Sequence, residues 1–440
     1  MNGANRRPRA AVGQTSWSVL SSYKSRRGQT GRSALSRVRA RLGQTGRSVL
    51  RIALSVLLAT SCAWQEASAY TLNRTVTDMR VAANAGLGAC PQLNRFDTQT
   101  PGKLIDRRWN TTFGANIRTT ATLAADRVNE VRQSVIASFA AWTSVASAAL
   151  GPALDPTLNE TTQMPSCASN DGLNTICFAQ SDAGFSPGVL AFTNTVTSDI
   201  LGEQFPASSP SVFVGEILDA DVLFNPTVTF ATPSALNFSA FDLESVLIHE
   251  LGHAFGFSHS GVWGAIMYPF APLPGQFAGS RPTATAPDAP LSDDDRAGLR
   301  VLYPDANDTL HTGSIRGRIV PVNPLSLAGQ PTGVTGIFGA HVVAIDDVTG
   351  AVAGATLAGW SCSDPGPPVF DGSYAIERLP VGRSYRVFVE PLDGPVDSGN
   401  VSNSIQSLCR NNTTDPGWPA QFACTVPPVN TTFTTRAKGQ

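Results

Sequence analysis

The stretch Ile248–Ser260, "IHELGHAFGFSHS", holds three of the five histidines of this 440-residue chain. His249 and His253 are four residues apart, and His259 follows six residues later. Residues i and i+4 of an α-helix project from the same face about one turn apart, so a helix through this stretch would direct the first two imidazoles towards one point. Packing alone gives no reason for this spacing, which indicates a chemical role.

A glycine and a glutamate lie at fixed places between the histidines. Gly256 can adopt a positive φ and end the helix, so that the chain turns back and brings His259 to the same point. Three neutral imidazoles leave one position of a tetrahedral zinc open, as in catalytic zinc sites. Glu250 would face that position, where a carboxylate can take a proton from an attacking water and pass it to the leaving amine. The sequence predicts one catalytic Zn²⁺ held by His249, His253 and His259, with Glu250 as general base.

The pattern His-Glu-x-x-His-x-x-Gly-x-x-His resembles the extended zinc signature of the metzincin metallopeptidases. In that clan a methionine turn lies below the metal, and "AIMYP" at 265–269, which contains Met267, is similar to it. Ser260 and "LSDDDRAGLRVLYP" at 291–304 resemble the matrixin branch. The resemblance implies an α+β domain, with a twisted sheet and three helices, over residues 117–304. It also implies that a strand near Val189–Thr195 is the sheet edge that holds an extended peptide substrate.

Two departures from the matrixin pattern limit the metal content. No histidine precedes His249, so we expect a single zinc without a second, structural one. Cys90 lies in "GACPQL", which differs from the Pro-Arg-Cys-Gly motif of a latent form, so a disulfide is favoured over a role as fourth zinc ligand. The resemblance also allows calcium, but the spacing of the candidate aspartates forms no recognisable loop; they are Asp171, Asp182, Asp199, Asp219 and Asp221.

Apolar periodicity predicts the first elements around this site. Apolar residues recur every three or four positions from about Thr122 to Leu150, which predicts a helix with one buried face. Short strands are predicted at Val189–Thr195 and Ile217–Phe224, the second from its alternation of apolar and polar residues.

Capping residues predict where the two later helices begin. The histidine helix should begin near Leu243, with Asp242 or Ser239 as its N-cap. A last helix, Asp293–Leu302, should follow the N-cap Ser292, since its three aspartates favour the positive end of the helix dipole.

Beyond Tyr303 the sequence predicts a small all-β sandwich at 311–396, separated by a linker at Pro304–His311. Four stretches read as strands joined by glycine turns: "GSIRGRIV", "GAHVVAIDDVTG", "DGSYAIERLPVG" and "SYRVFVEP". This part resembles the transthyretin-like regulatory modules of carboxypeptidases, which implies packing or adhesion. His311 and His341 are interpreted as surface or strand-end histidines. A tail at 397–440 would be tethered by Cys409 and Cys424.

The first 69 residues are predicted to be a basic leader and signal peptide. A basic flank, an apolar run at 52–63 and Ala67-Ser68-Ala69 match an export signal cleaved after Ala69. The run is shorter than the ~20 residues needed to span a bilayer. A short buried helix and a lipoprotein anchored at Cys62 are the alternatives. Gly-Gln-Thr recurs with a period of 15 in residues 1–48, which indicates a mis-assigned start or a disordered basic leader. Residues 70–116 look irregular.

Charge bears on the partners of the mature chain, and cysteine content bears on its compartment. Without residues 1–69 the chain keeps 20 basic and 32 acidic side chains, which argues against nucleic acid or an anionic membrane as a partner. Six cysteines then remain, and an even number suggests disulfides outside the cytosol, with Cys167–Cys177 as a local pair.

The predicted function is therefore that of a secreted zinc endopeptidase acting on proteins or peptides. The alternative is a non-catalytic, zinc-containing adhesion protein that binds surfaces through the β-sandwich. An intact Glu250 favours the enzyme, because a binding scaffold needs no general base. The sequence does not indicate an oligomeric state.

Overall fold

The computed structural model describes residues 11–18, 72, 74–76, 104–110, 118–120, 128–150, 172, 174–178, 184–198, 201–202, 210–276, 290–308, 310–322, 335–337, 339–359, 361–362, 368–369 and 371–390. Its helices are α1 (Val128–Thr143), α2 (Leu243–Ala254) and α3 (Asp293–Leu302). None of these helices is long and apolar enough to cross a membrane.

The strands of the described part follow in chain order. They are β1 (Ala11–Ser18), β2 (Arg74–Val76), β3 (Leu104–Asp106), β4 (Arg118–Thr120), β5 (Thr175–Phe178), β6 (Val189–Thr197), β7 (Ile217–Phe224), β8 (Phe230–Ala231), β9 (Phe241–Asp242), β10 (Thr312–Arg318), β11 (His341–Asp346), β12 (Val352–Leu357), β13 (Ser361–Cys362), β14 (Pro368–Val369), β15 (Ser373–Pro380) and β16 (Tyr385–Glu390).

The main sheet has five strands in the order β1-β6-β7-β5-β4. Strands β4, β5 and β7 run parallel, whereas β6 runs antiparallel to β7. Helix α2 packs against β6 and β7, and α1 packs against α2. The first part of the described chain is thus α+β, as the sequence predicts, with the histidine helix next to the antiparallel strand.

Several predicted bounds are confirmed. Strand β7 covers Ile217–Phe224 as predicted, and β6 extends two residues beyond the predicted Thr195. Helix α3 has the predicted bounds, and Ser292 and Asp295 form a reciprocal capping box. The prediction of helix up to Leu150 is wrong at that end. Helix α1 ends at Thr143, and Ser147, four residues later, has a φ of 64° that a right-handed helix does not contain.

The C-terminal strands form three small sheets in the described residues. Strand β10 pairs with β15, the second sheet has the order β12-β11-β16, and β13 pairs with β14. Strands β10, β11, β15 and β16 lie in the four predicted stretches, and β12 adds a hairpin with β11. Buried side chains of these strands, such as Val342 and Ile376, belong to the same hydrophobic cluster as those of α2. The sandwich architecture and the predicted domain bounds stay predictions.

Strand β1 lies within the predicted leader and changes the expectation for the substrate strand. It pairs antiparallel with β6, from Ala11 opposite Thr197 to Ser18 opposite Val189. Since β6 has neighbours on both sides, it is an inner strand of this chain, and the implied open edge is not found.

The predicted signal peptide at 49–69, Cys90, Cys167 and the tail at 397–440 lie outside the described residues.

The segment predicted to be irregular, 70–116, includes ordered contacts. Leu72 is buried and forms a bridge with Phe257, and β2 pairs with β3. Arg108 forms a bridge with Glu216, which joins this segment to the start of β7. Residues 104–110 also lie beside the end of the histidine helix, because Trp109 Nε1 donates a hydrogen bond to the Ala254 carbonyl.

Candidate metal centre

Helix α2 carries the first two histidines of the site. Its N-cap is Asp242, one of the two predicted candidates, whose side chain accepts hydrogen bonds from the backbone N–H groups of the first turn. His249 and His253 are fully buried, and their ring centroids lie 4.7 Å apart. The spacing of four residues therefore brings both imidazoles to one side of the helix, as predicted.

Gly256 turns the chain after the helix and brings the third histidine to the other two. Its φ of 106° suits glycine, and a Cβ at this position would lie 2.1 Å from the carbonyl oxygen of Arg107. The ring of His259 lies 5.3 Å from that of His249 and 4.8 Å from that of His253, between centroids. One ligand atom from each histidine lies within 4.8 Å of the other two. The three predicted ligands thus converge.

The hydrogen bonds of the rings orient their Nε2 atoms for a metal. His249 Nδ1 lies 2.6 Å from the carbonyl oxygen of Ile266, and His253 Nδ1 lies 2.9 Å from that of Phe257. A carbonyl only accepts, so each Nδ1 carries the proton and each Nε2 presents a lone pair.

The donor set fits zinc. His253 Nε2 is buried and makes no hydrogen bond within the described part of the chain. Burial, followed by the neighbouring His259, holds the pKa of His253 well below its usual range, so this ring is neutral as a ligand must be. Three neutral imidazoles are the ligands of one class of catalytic zinc site.

Met267 lies against the helix that carries the ligands. A Cβ on Gly252 would lie 2.2 Å from Met267 Sδ and 2.9 Å from Trp142 Cζ2, so only glycine fits there without movement. Asp295 of α3 accepts hydrogen bonds from the backbone N–H groups of Ile266 and Met267, at 2.8 and 3.2 Å. Asp295 therefore fixes the peptide whose carbonyl orients His249.

Glu250 is buried next to the histidines and is held by a strand of the main sheet. The hydroxyl of Thr193 lies 2.7 Å from Glu250 Oε2 and 3.0 Å from the Glu250 carbonyl oxygen, so it can donate to either. Thr193 lies in β6 and is itself fully buried. The bond fixes the carboxylate relative to the strand.

Three aromatic side chains donate hydrogen bonds to the carbonyl groups of the histidine segment. Trp142 Nε1 donates to Ile248 at 2.9 Å, and Trp109 Nε1 donates to Ala254 at 2.7 Å. The Tyr303 hydroxyl donates to Phe255 at 2.8 Å. The carbonyls at the end of a helix have no partner within it, so Trp109 and Tyr303 satisfy those of Ala254 and Phe255 and fix the helix end, whereas Trp142 bonds to a carbonyl inside the helix.

Ser260, directly after the third histidine, is joined to α3. Its hydroxyl donates to Asp294 Oδ2 at 2.7 Å. Burial, together with the charge of Asp295, raises the pKa of Asp294 to about 7.

The remaining candidate residues do not join this centre. Within the described ranges the three histidines form the group that could hold an ion. Asp219 and Asp221 are buried in β7, and Asp171, Asp182 and Asp199 lie outside the described residues. His311 is near Asp308, and His341 begins β11 beside Glu390, as expected for surface and strand-end positions.

Comparison with known proteins supports the resemblance to the matrixin branch. The profile of the Matrixin family, a peptidase family, matches residues 198–304. Residues 198–304 are therefore matrixin-like. A related sequence, Metalloendoproteinase 1 of Glycine max, is 46% identical over 65 residues, or 15% of this chain. That match spans 18% of the relative's length, so the chain covers less than a fifth of it. The C-terminal strands lie outside the matched range.

Several residues that support the site were not predicted from the sequence. Gly252 could have been found, because a glycine inside a helix costs about 1 kcal/mol and usually has a packing reason. The aspartates of α3 indicate a helix N-terminus and a matrixin likeness, but not that Asp294 and Asp295 accept hydrogen bonds from residues 260–267. Thr193 gives no local signal, since its partner is 57 residues away.

Proposed function

We propose that this chain is an exported zinc-dependent endopeptidase that hydrolyses peptide bonds of proteins, with His249, His253 and His259 as metal ligands and Glu250 as general base. The observation that carries this proposal is the buried carboxylate of Glu250, held by Thr193 beside three converging imidazoles. A scaffold that only bound zinc would need no such carboxylate.

Each residue of the site has a distinct task in this reaction. The three Nε2 atoms would hold the metal, and Zn²⁺, when bound, supplies the Lewis acidity that activates water and polarises a carbonyl. The Glu250 carboxylate takes the proton from the attacking water and transfers it to the leaving nitrogen. Thr193 keeps that carboxylate in place between the two transfers.

Strand β6 is the proposed support for an extended peptide. Its pairing with β1 indicates that the outer side of β6 accepts an extended backbone in the antiparallel direction. A substrate strand would form the same main-chain hydrogen bonds and pass beside Thr193, and so beside Glu250. This arrangement requires that residues 11–18 leave β6.

Cleavage of an export signal would remove residues 11–18 from β6. We propose cleavage after Ala69, which would take β1 away with the signal peptide. Leu72, three residues beyond this bond, is fully buried and forms a bridge with Phe257, so the folded part begins close to the proposed new N-terminus. N-terminal sequencing of the secreted protein should give Tyr70 as the first residue.

Casein digestion by the mature chain tests the proposed activity. We expect digestion to stop with a chelator, to return with Zn²⁺, and to be lost in Glu250→Ala. The Glu250→Ala variant should still contain one zinc per chain by elemental analysis, because its three ligands are intact. Digestion by Glu250→Ala at the wild-type rate would rule out the general-base role. Two zinc ions per chain would contradict the single site.

A further inference from the structure

The loop between the third histidine and Met267 packs against the C-terminal strands. Val262 and Ala265 are 5% and 1% exposed, and they form a small apolar cluster with Val343 of β11 and Ala355 of β12. This loop, residues 260–267, is therefore covered by a part of the chain outside the matrixin domain. Apolar contacts keep the loop and the strands together but do not fix the loop's conformation, because they are non-directional.

Asp294 supplies the directional contact between the loop and the strands. Its Oδ2 accepts the hydrogen bond from Ser260 Oγ at 2.7 Å, and its Oδ1 accepts one from the Ala355 N–H at 2.8 Å. The side chain is fully buried, so water does not compete for these bonds. One carboxylate thus joins the residue after His259 to β12.

Ser260 extends this contact to both ends of the loop. Its Oγ accepts a hydrogen bond from the Val262 N–H at 3.1 Å, and its own N–H donates to the Met267 carbonyl at 2.7 Å. A carboxylate that fixes Ser260 therefore fixes the start of the loop directly and its end through one further bond.

The position of β12 allows its backbone to bond to Asp294 of α3. Within the described residues it lies at the edge of the sheet β12-β11-β16, so the Ala355 N–H can point to α3 while β11 pairs on the other side. The preceding residue, Gly354, permits close packing, because a Cβ there would lie 3.1 Å from Ile376 Cγ2 and 3.3 Å from Leu379 Cδ2.

We propose that Asp294 is a positioning residue for the metal centre, and that β11 and β12 are part of the framework of that centre because they hold Asp294 and the loop that follows His259. This inference rests on the proposed zinc site. It assigns to the C-terminal strands a supporting role in metal binding, through Asp294 and the loop, in addition to the packing or adhesion expected from the sequence.

Two substitutions in the full chain test the role of Asp294. Asp294→Ala removes both acceptors, and we expect Zn²⁺ affinity, measured by competition with a chromogenic chelator, to fall about tenfold, the lower end of the range for residues that support metal ligands. Asp294→Asn should retain affinity close to wild type, since its amide oxygen can accept from Ala355 and its amide nitrogen can donate to Ser260. Equal affinities in wild type and Asp294→Ala, or equal losses in both variants, would overturn the proposal.

Val342→Ala is the matched control for general destabilisation. Val342 is fully buried in β11 on the face opposite that of Val343, so its side chain belongs to the main cluster and not to the cluster that holds the loop. We expect this variant to unfold at a lower temperature with unchanged Zn²⁺ affinity. If Val342→Ala lost as much Zn²⁺ affinity as Asp294→Ala, the loss would follow from lower stability alone, and the proposal would be overturned.

Hydrogen exchange in the metal-free chain separates this inference from the proposed function. We expect the Val262 amide to exchange faster in Asp294→Ala than in wild type or Val342→Ala. If the wild type bound no Zn²⁺, the proposed function would fail, and the exchange rate would still decide whether Asp294 holds the loop. Unchanged exchange in Asp294→Ala would refute that role.

Discussion

The bond between Thr193 and Glu250 gives a quantitative prediction for catalysis. Thr193→Val keeps the shape of the side chain and removes the hydroxyl that lies 2.7 Å from Glu250 Oε2. Hydrogen bonds to charged groups contribute about 1.5–3 kcal/mol, and about 1.4 kcal/mol corresponds to a factor of ten in rate. We expect kcat to fall by about 10- to 150-fold if the bond positions the carboxylate for proton transfer.

The assay is the initial rate of peptide cleavage by zinc-loaded chains that begin at Tyr70. Thr193→Ser should recover most of the rate, since it restores the hydroxyl. Thr195→Val is the control, because Thr195 is also buried in β6 and undergoes the same change of side chain. Wild-type turnover in Thr193→Val would refute the reasoning, as would an equal loss in Thr195→Val.

Three further predictions concern the turn, the leader and pH. Gly256→Ala should destabilise the fold by about 1–3 kcal/mol more than Gly264→Ala in denaturant unfolding. Both glycines have positive φ, but a Cβ meets the Arg107 carbonyl at Gly256 and open space at Gly264. The full chain should show a higher KM than a chain that begins at Tyr70, because β1 pairs with the side of β6 where the substrate would bind. Equal KM values would contradict this. Burial raises the pKa of Glu244 to about 7, so the metal-free fold binds this proton more tightly than the unfolded chain does. Its stability should therefore fall as pH rises from about 4.5 to 7, and Glu244→Gln should flatten that decline.

The parts of the site that depend on neighbouring residues could be predicted from the sequence. The spacing of His249 and His253 specifies one side of a helix, and Gly256 specifies the turn that returns His259. Ser292, with Asp295 three residues later, specifies the start of α3 through a capping box. Each of these features arises from backbone geometry within about one or two turns.

The supporting contacts could not be predicted because they join distant parts of the chain. Thr193 is 57 residues from Glu250, and Asp294 is 61 residues from Ala355. Single-residue propensities carry no information about such pairs, which depend on how the sheet and helices pack. The pairing of β1 with β6 was missed for the same reason, since a leader read only for its charge and apolar run gives no sign of a strand partner.

The hydrophobic cluster that includes Val246 of α2, Leu299 of α3 and Ile376 of β15 has a consequence for how the molecule responds to heat. Side chains that share one interior lose their contacts together, so calorimetry should record a single heat-absorption peak for the histidine helix and the C-terminal strands. A cut between residues 304 and 311 should then leave two fragments that stay associated until both melt.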